Sequence, residues 1–237
     1  MSANSCHSPV AKGLVLLALL AGCEVSRAAD FCVGSASELV GALSLAQFNG
    51  QDDHVRIRTG TYVLPGGIVF NGTSPDDLEL SGGWNVSCTT RTPDPAATSI
   101  DRGSGSVAAG QWILRNPAGS IRVSGMRFAD ATRLVLTDLG SGCSIGGQRY
   151  ELERMIFTSP PTVPGGQLIQ TECHHIRIEN YLSIGGDHLF LRVESSQLSA
   201  QVVHATITGG ELALWGSGAL FRLYNNIVLG SGVQVYD

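Results

Sequence analysis

The sequence holds a single lysine, Lys12, and only 15% of its residues are charged. Nucleic-acid binders need clustered basic side chains that release counterions from phosphates. Here the arginines are scattered from Arg27 to Arg222 and the net charge is -5, so no nucleic-acid partner is expected. No Cys-x-x-Cys spacing occurs, which removes the usual support for a zinc site. The apolar run Gly13 to Ala21 is too short to span a bilayer, so no transmembrane segment is expected. After Gly50 no segment has the apolar period of a helix. Disorder is also excluded, because 43% of the residues are hydrophobic and supply a core. At 237 residues, one continuous domain is the default.

What is present begins with an export signal. Lys12 followed by the short apolar run marks residues 1–28 as a signal peptide. Ser26-Arg27-Ala28 suits cleavage before Ala29, whereas Leu20-Ala21-Gly22-Cys23 resembles a bacterial lipoprotein box with Cys23 lipidated. The short polar spacer between Cys23 and Ala29 favours simple cleavage. The product is expected outside the cell or on an outer-membrane surface. Export leaves Cys32, Cys88, Cys143 and Cys173, an even set in an oxidising compartment, so disulfides are expected rather than metal. Four cysteines allow three connectivities. Cys32 lies just before a helix and Cys88 just after the first strands, which favours Cys32 with Cys88 and Cys143 with Cys173.

The mature segment, residues 29–237, opens on that helix. Ser35-Ala36-Ser37-Glu38 is a capping-box pattern, Leu39, Leu43 and Ala46 recur at helical spacing, and Asn49-Gly50 ends it. A helix over about 36–49, followed only by strands, suits the cap of a solenoid. His54-Val55-Arg56-Ile57-Arg58 then alternates strictly, which buries one face. Short strands follow at Gly67 to Phe70 and Leu78 to Leu80.

An imperfect repeat decides the architecture. Segments starting at Ile121, Tyr150, Ile176, Gln201 and Phe221 align, with starts separated by 29, 26, 25 and 20 residues. First and third positions are mostly apolar, so second and fourth face outward. The fifth reads Gly125, Arg154, Asn180, Ala205, Asn225. Gly and Asn tolerate a left-handed backbone, so a bend recurs at a fixed column. The expected fold is all-β, a right-handed parallel β-helix with an N-terminal capping helix.

The run of Cys32-Val-Gly-Ser, the cap helix, His54 to Tyr62, Leu78-Glu-Leu-Ser-Gly-Gly-Trp84, Cys88 and repeats ending in Tyr224-Asn-Asn-Ile-Val228 resembles secreted bacterial β-helix proteins of the pectin-lyase-like superfamily. The resemblance implies the fold over the whole mature chain. The superfamily holds lyases, hydrolases and adhesins, so the fold does not decide function. Its enzymes are expected to carry further signatures. Arg115-Asn-Pro-Ala-Gly-Ser-Ile-Arg122 lacks the spacing of the lyase arginine motif, Gln111-Trp-Ile-Leu-Arg115 lacks its Asp-His, and no Gly-His-Gly occurs.

The outward columns are the site-like surface. The second position reads Arg122, Glu151, Arg177, Val202, Arg222, and the fourth reads Ser124, Glu153, Glu179, His204, Tyr224. Glu153 and Glu179 on adjacent coils lie near the roughly 5 to 5.5 Å separation of a retaining glycosidase pair, and are the catalytic candidates. Arg122, Arg177, Arg222, His204 and Tyr224 are the ligand-binding candidates. The bland alternative is a solvated ladder whose pairs merely stabilise the sheet. A second cluster, Glu172-Cys173-His174-His175 with Asp187-His188, has metal or acid–base chemistry, although adjacent histidines on a strand face opposite ways. The function expected is non-catalytic binding of a polysaccharide or cell-surface glycan. The alternative is a polysaccharide lyase or glycoside hydrolase with a non-standard site. No cofactor is expected, with calcium left open. The sequence stops inside an apparent strand at Val233-Gln-Val-Tyr-Asp237, which suggests truncation or an end-to-end contact through an open last coil.

Overall fold

Strict alternation of inward apolar and outward polar residues becomes a stack of parallel strands. The computed structural model describes residues 28–103, 111–129, 133–138, 147–158, 166–185, 188–216, 218–230 and 232–236. Residues 1–27, which hold Cys23 and all but the last residue of the expected signal peptide, and Cys143 and Asp187 lie outside these residues. Among the described residues the first sheet has twelve strands, and its main path runs Ala29–Val33, Asp53–Arg58, Leu78–Trp84, Ile121–Ala129, Arg149–Thr158, His175–Ile184, Ser199–Val203 and Leu220–Tyr224. The second has seven: Ile68–Asn71, Gln111–Arg115, Arg133–Thr137, Gly166–Thr171, His188–Val193, Glu211–Trp215 and Gly232–Tyr236. Pairing within both sheets is parallel. Parallel neighbours need a crossover connection. Here each sheet supplies the crossover of the other, and the chain winds as a β-solenoid of about seven turns.

The space between the sheets is filled by stacked side chains. Phe128 lies on Phe157 with ring centroids 5.2 Å apart, Phe157 on Tyr181 at 5.1 Å, and Trp112 meets Phe128 edge-on at 5.3 Å. All four are at most 1% exposed, so each coil seals the core of the next. Truncating such a ring costs about 3 to 5 kcal/mol.

The helix Ala36–Ala46 closes the first coil. The Ser35 hydroxyl accepts from the Glu38 amide at 3.2 Å, and the Glu38 carboxylate accepts from the Gly34 amide at 2.6 Å, so the expected capping pattern forms. Leu39, Ala42, Leu43 and Ala46 are buried against the strands beneath. The strand before the helix, Ala29–Val33, is an element the sequence reading left out; it pairs with Asp53–Arg58. Cys32 is bonded to Cys88, which ties this edge strand to the loop after the third strand of the path. Cys173 is buried and also in disulfide form. In the last described coil Leu223, Val233 and Val235 are between 39% and 66% exposed, whereas Val202 and Leu212 in the coil before are fully buried.

The fifth repeat position is the corner of the first sheet. Gly125, Arg154, Asn180, His204 and Asn225 all have left-handed backbone, with φ of 66°, 52°, 54°, 55° and 52°. A side chain at Gly125 would come within 2.6 Å of the Arg91 guanidinium, which already donates to the Gly82 carbonyl. The fourth coil corrects the sequence alignment. Ile176 pairs with Ala200 and Ala200 with Phe221, so that repeat starts at Ala200 and not at Gln201. Gln201 replaces Val202 in the second column, Val203 replaces His204 in the fourth, and His204 replaces Ala205 at the corner. The cause is burial: Val202 and Ala205 are at most 1% exposed, and a slip of one residue would turn them outward.

His204 therefore bears a strain that Asn180 and Asn225 bear more easily, since short polar side chains tolerate this region. His204→Asn is expected to leave stability unchanged or raise it slightly. His204→Val, β-branched at the same backbone, is expected to lower it by about 1 to 2 kcal/mol in urea denaturation.

Candidate functional site

Parallel in-register stacking turns single positions into columns. The second position forms one unbroken outward row: Asp30, His54, Glu79, Arg122, Glu151, Arg177, Gln201 and Arg222 pair strand to strand in that order. Eight strands at parallel-sheet spacing give a row ~34 Å long. Beside it the fourth position reads Arg56, Ser81, Ser124, Glu153, Glu179, Val203, Tyr224. Three shallow depressions overlap along this face. The first is lined by Asp52, His54, Asp77, Glu79, Arg122 and Arg149 among others, the second by Arg122, Glu151, Glu153, Arg177 and Glu179, the third by Arg149, His175, Arg177, Ser199, Gln201 and Arg222. Arg122, Glu151, Arg149 and Arg177 are each shared between two of them, so the depressions make one trough.

Of the candidates, Glu153 and Glu179 face each other on adjacent strands. Each is engaged by arginine. Glu153 is bonded to Arg122, and to Arg154 at 2.6 Å; Glu179 is 2.7 Å from Arg177. Burial alone would raise the Glu153 pKa, but the Arg122 hydrogen bond and the charges of Arg154, Arg122 and Arg91 outweigh it and hold the carboxyl below its ordinary value. A general acid needs the opposite shift, upward toward neutrality. Arg122 is thus occupied, Arg177 is half-exposed with one carboxylate partner, and Arg222 is exposed with no ion pair among the described residues. Tyr224 lies in the fourth column at the last strand. His204 sits at the corner, where its Nε2 lies 3.2 Å from the Asn225 amide nitrogen. It belongs to neither outward column.

The two ends of the trough differ in sign. Glu151 is the last carboxylate of the second column; beyond it come Arg177, Gln201 and Arg222. His175 lies beside them. Its Nδ1 accepts from the Ser199 backbone amide at 3.2 Å, so that nitrogen carries no proton and the imidazole is neutral with its proton on Nε2. Burial, then the charge of Arg149, then His174 lower the His175 pKa in the same sense.

The histidine-rich cluster does not assemble. His175 faces the trough, His188 lies on the second sheet 3.7 Å from Glu211, and His174 points inward, completely buried. His174 Nδ1 is 2.5 Å from Asp138 Oδ2, and its Nε2 is 2.8 Å from the Gly119 carbonyl. Because a carbonyl only accepts, Nε2 bears a proton. One further proton lies between Nδ1 and the carboxylate, which leaves the pair without net charge. The Thr171 hydroxyl and the Glu172 amide each donate to Asp138 at 2.7 Å, and Tyr150 stacks on the imidazole with centroids 4.2 Å apart. This buried lock fixes the turn between the sheets. Among the described residues no group of three or more His, Cys, Asp or Glu has the arrangement to hold a metal ion.

Arg149, Ser199 and Gln201 were not among the sequence candidates. Extending the outward alternation one step before Tyr150 would have found Arg149, and the correct fourth-coil register gives Gln201. Asp138 lies 36 residues from His174 with no motif linking them. Comparison of the chain with protein-family models, curated proteins and solved structures finds no match.

Removing one member of a buried pair strands the other. Asp138→Ala is expected to cost about 3 to 5 kcal/mol in chemical denaturation, and a second change, His174→Leu, to restore part of it. Burial acts to raise the Asp138 pKa, yet the hydrogen bonds from His174, Thr171 and Glu172 leave it lowered. A carboxyl depressed in the folded state stabilises above its unfolded value of about 3.9. That contribution fades as pH falls through the lower folded value, and Asp138→Ala should flatten the acid limb of the stability curve.

Proposed function

We propose that the protein is an exported, non-catalytic member of the pectin-lyase-like superfamily that binds a linear polysaccharide along the trough of its first sheet. The observation that carries this reading is the continuity of the trough. An open polar furrow crossing seven strands has the dimensions of an extended polymer, and little of the enclosure of a small-molecule pocket. Its lining offers guanidinium and imidazole donors, a hydroxyl, an amide and carboxylates, the groups that exchange hydrogen bonds with sugar hydroxyls. Arginine pairing of Glu153 and Glu179 argues against acid–base chemistry there. Export accords with the short apolar leader and with the disulfide between Cys32 and Cys88. No cofactor is invoked.

A panel of neutral and acidic polysaccharides tests the reading by affinity electrophoresis, with parallel assays for new reducing ends and unsaturated products. Retardation by at least one polymer, without turnover, is the expected result. Failure to be retarded by any polymer would end the binding reading. Turnover that disappears in Glu153→Gln or Glu179→Gln would instead make the protein an enzyme.

A further inference from the structure

We propose that the end of the trough nearest Leu220–Tyr224 is a seat for one oxyanion, the carboxylate or sulfate substituent of an acidic sugar, held by Arg149, Arg177 and Arg222. The inference rests on the polysaccharide reading and narrows it to one chemical class.

Three guanidiniums line a single depression of about 230 Å³, together with His175, Ser199 and Gln201, and no carboxylate lines it. The register explains how they meet. Arg177, Gln201 and Arg222 occupy the same column on three consecutive strands, and Arg149 pairs with His175 at the adjoining edge. Arg177 and Arg222, two strand spacings apart, flank Gln201, whose amide adds a neutral donor between them. With Nδ1 of His175 committed to the Ser199 amide, its remaining ring hydrogen is a donor, so that side of the site accepts no cation. Arg is suited to such a seat because its planar fork matches carboxylate and sulfate geometry.

The existing ion pairs do not close the site. Arg149 meets Glu151 at 3.7 Å and Arg177 meets Glu179 at 2.7 Å, both arginines being about half-exposed. Exposed pairs of this kind contribute little and rearrange readily. Arg222 has no such partner among the described residues. The opposite end of the trough sets four carboxylates, Asp52, Asp77, Glu79 and Glu151, against the two guanidiniums of Arg122 and Arg149, so its lining is net acidic and less favourable to the same anion. A polymer carrying spaced negative groups is therefore aligned with one of them at the basic end.

The test uses the whole exported chain and four probes: sodium sulfate, and a uronate, a sulfated and a neutral oligosaccharide of equal length. Sulfate is expected to shift the Nε–Hε NMR signals of Arg149, Arg177 and Arg222, leaving that of Arg192 on the second sheet unmoved. In calorimetry at low salt, one charged oligosaccharide should bind at least about tenfold tighter than the neutral one, the worth of one charge-assisted hydrogen bond. Arg222→Gln should remove most of that preference, and Arg192→Gln none of it. A preference for either charged probe supports the seat and names the substituent. Equal binding of charged and neutral probes, or an unchanged preference in Arg222→Gln, overturns the seat while the polysaccharide reading stands. Sulfate shifts without binding of any oligosaccharide would defeat that reading and the sugar assignment with it, leaving a site for a free anion only.

Discussion

The structure depends on one constraint: each coil of the first sheet must turn its corner at the same place as the coil before it. Five successive corners have left-handed backbone, from Gly125 to Asn225, and two of them carry Arg154 and His204, residues less at ease in that region than Gly or Asn. The strain is accepted because the alternative is worse. A corner moved by one residue would expose Val202 and Ala205 and bury Gln201, losing apolar burial and stranding an amide in the core. Interior stacking holds the corners in line, with Phe128, Phe157 and Tyr181 in successive contact. The buried Asp138–His174 pair fixes a turn between the sheets by the same logic of complete satisfaction.

From that constraint the outer surface follows. In-register coils place one residue type above another, so charges at a single repeat position become a row. Alternation of sign from Glu79 through Arg122 and Glu151 to Arg177 relieves the repulsion that a like-charged row would suffer. The individual pairs are worth little, about 0 to 1 kcal/mol each. Their functional consequence is larger than their energetic one, because they neutralise Glu153 and Glu179 as candidate acids and leave the uncompensated positive charge at one end.

Much of the fold was legible in the sequence because alternation and the recurring Gly or Asn corner are local signals. The cap helix was marked by Ser35 and Glu38, and the Cys32–Cys88 pair by its position around the first strands. The fourth coil was misread for a physical reason. Gln201-Val202-Val203 offers two adjacent valines, so alternation alone does not choose between them, and His204 is not a residue that announces a left-handed corner. That single slip put His204 in the ligand row and hid Gln201. The inward turn of His174 was equally hidden, since its partner Asp138 is distant in sequence and contact between them exists only once the coils stack. The edge strand Ala29–Val33 gave no signal of its own beside the disulfide that anchors it.

The central claim is that one continuous column runs from the acidic to the basic end of the trough. Spin labels at Glu79→Cys and Arg222→Cys, with the native disulfides intact, measure it by pulsed electron–electron resonance. Five strand spacings separate these positions, and the account predicts a narrow distribution near ~24 Å. A broad distribution, or a mean displaced by a whole coil or more, would contradict it.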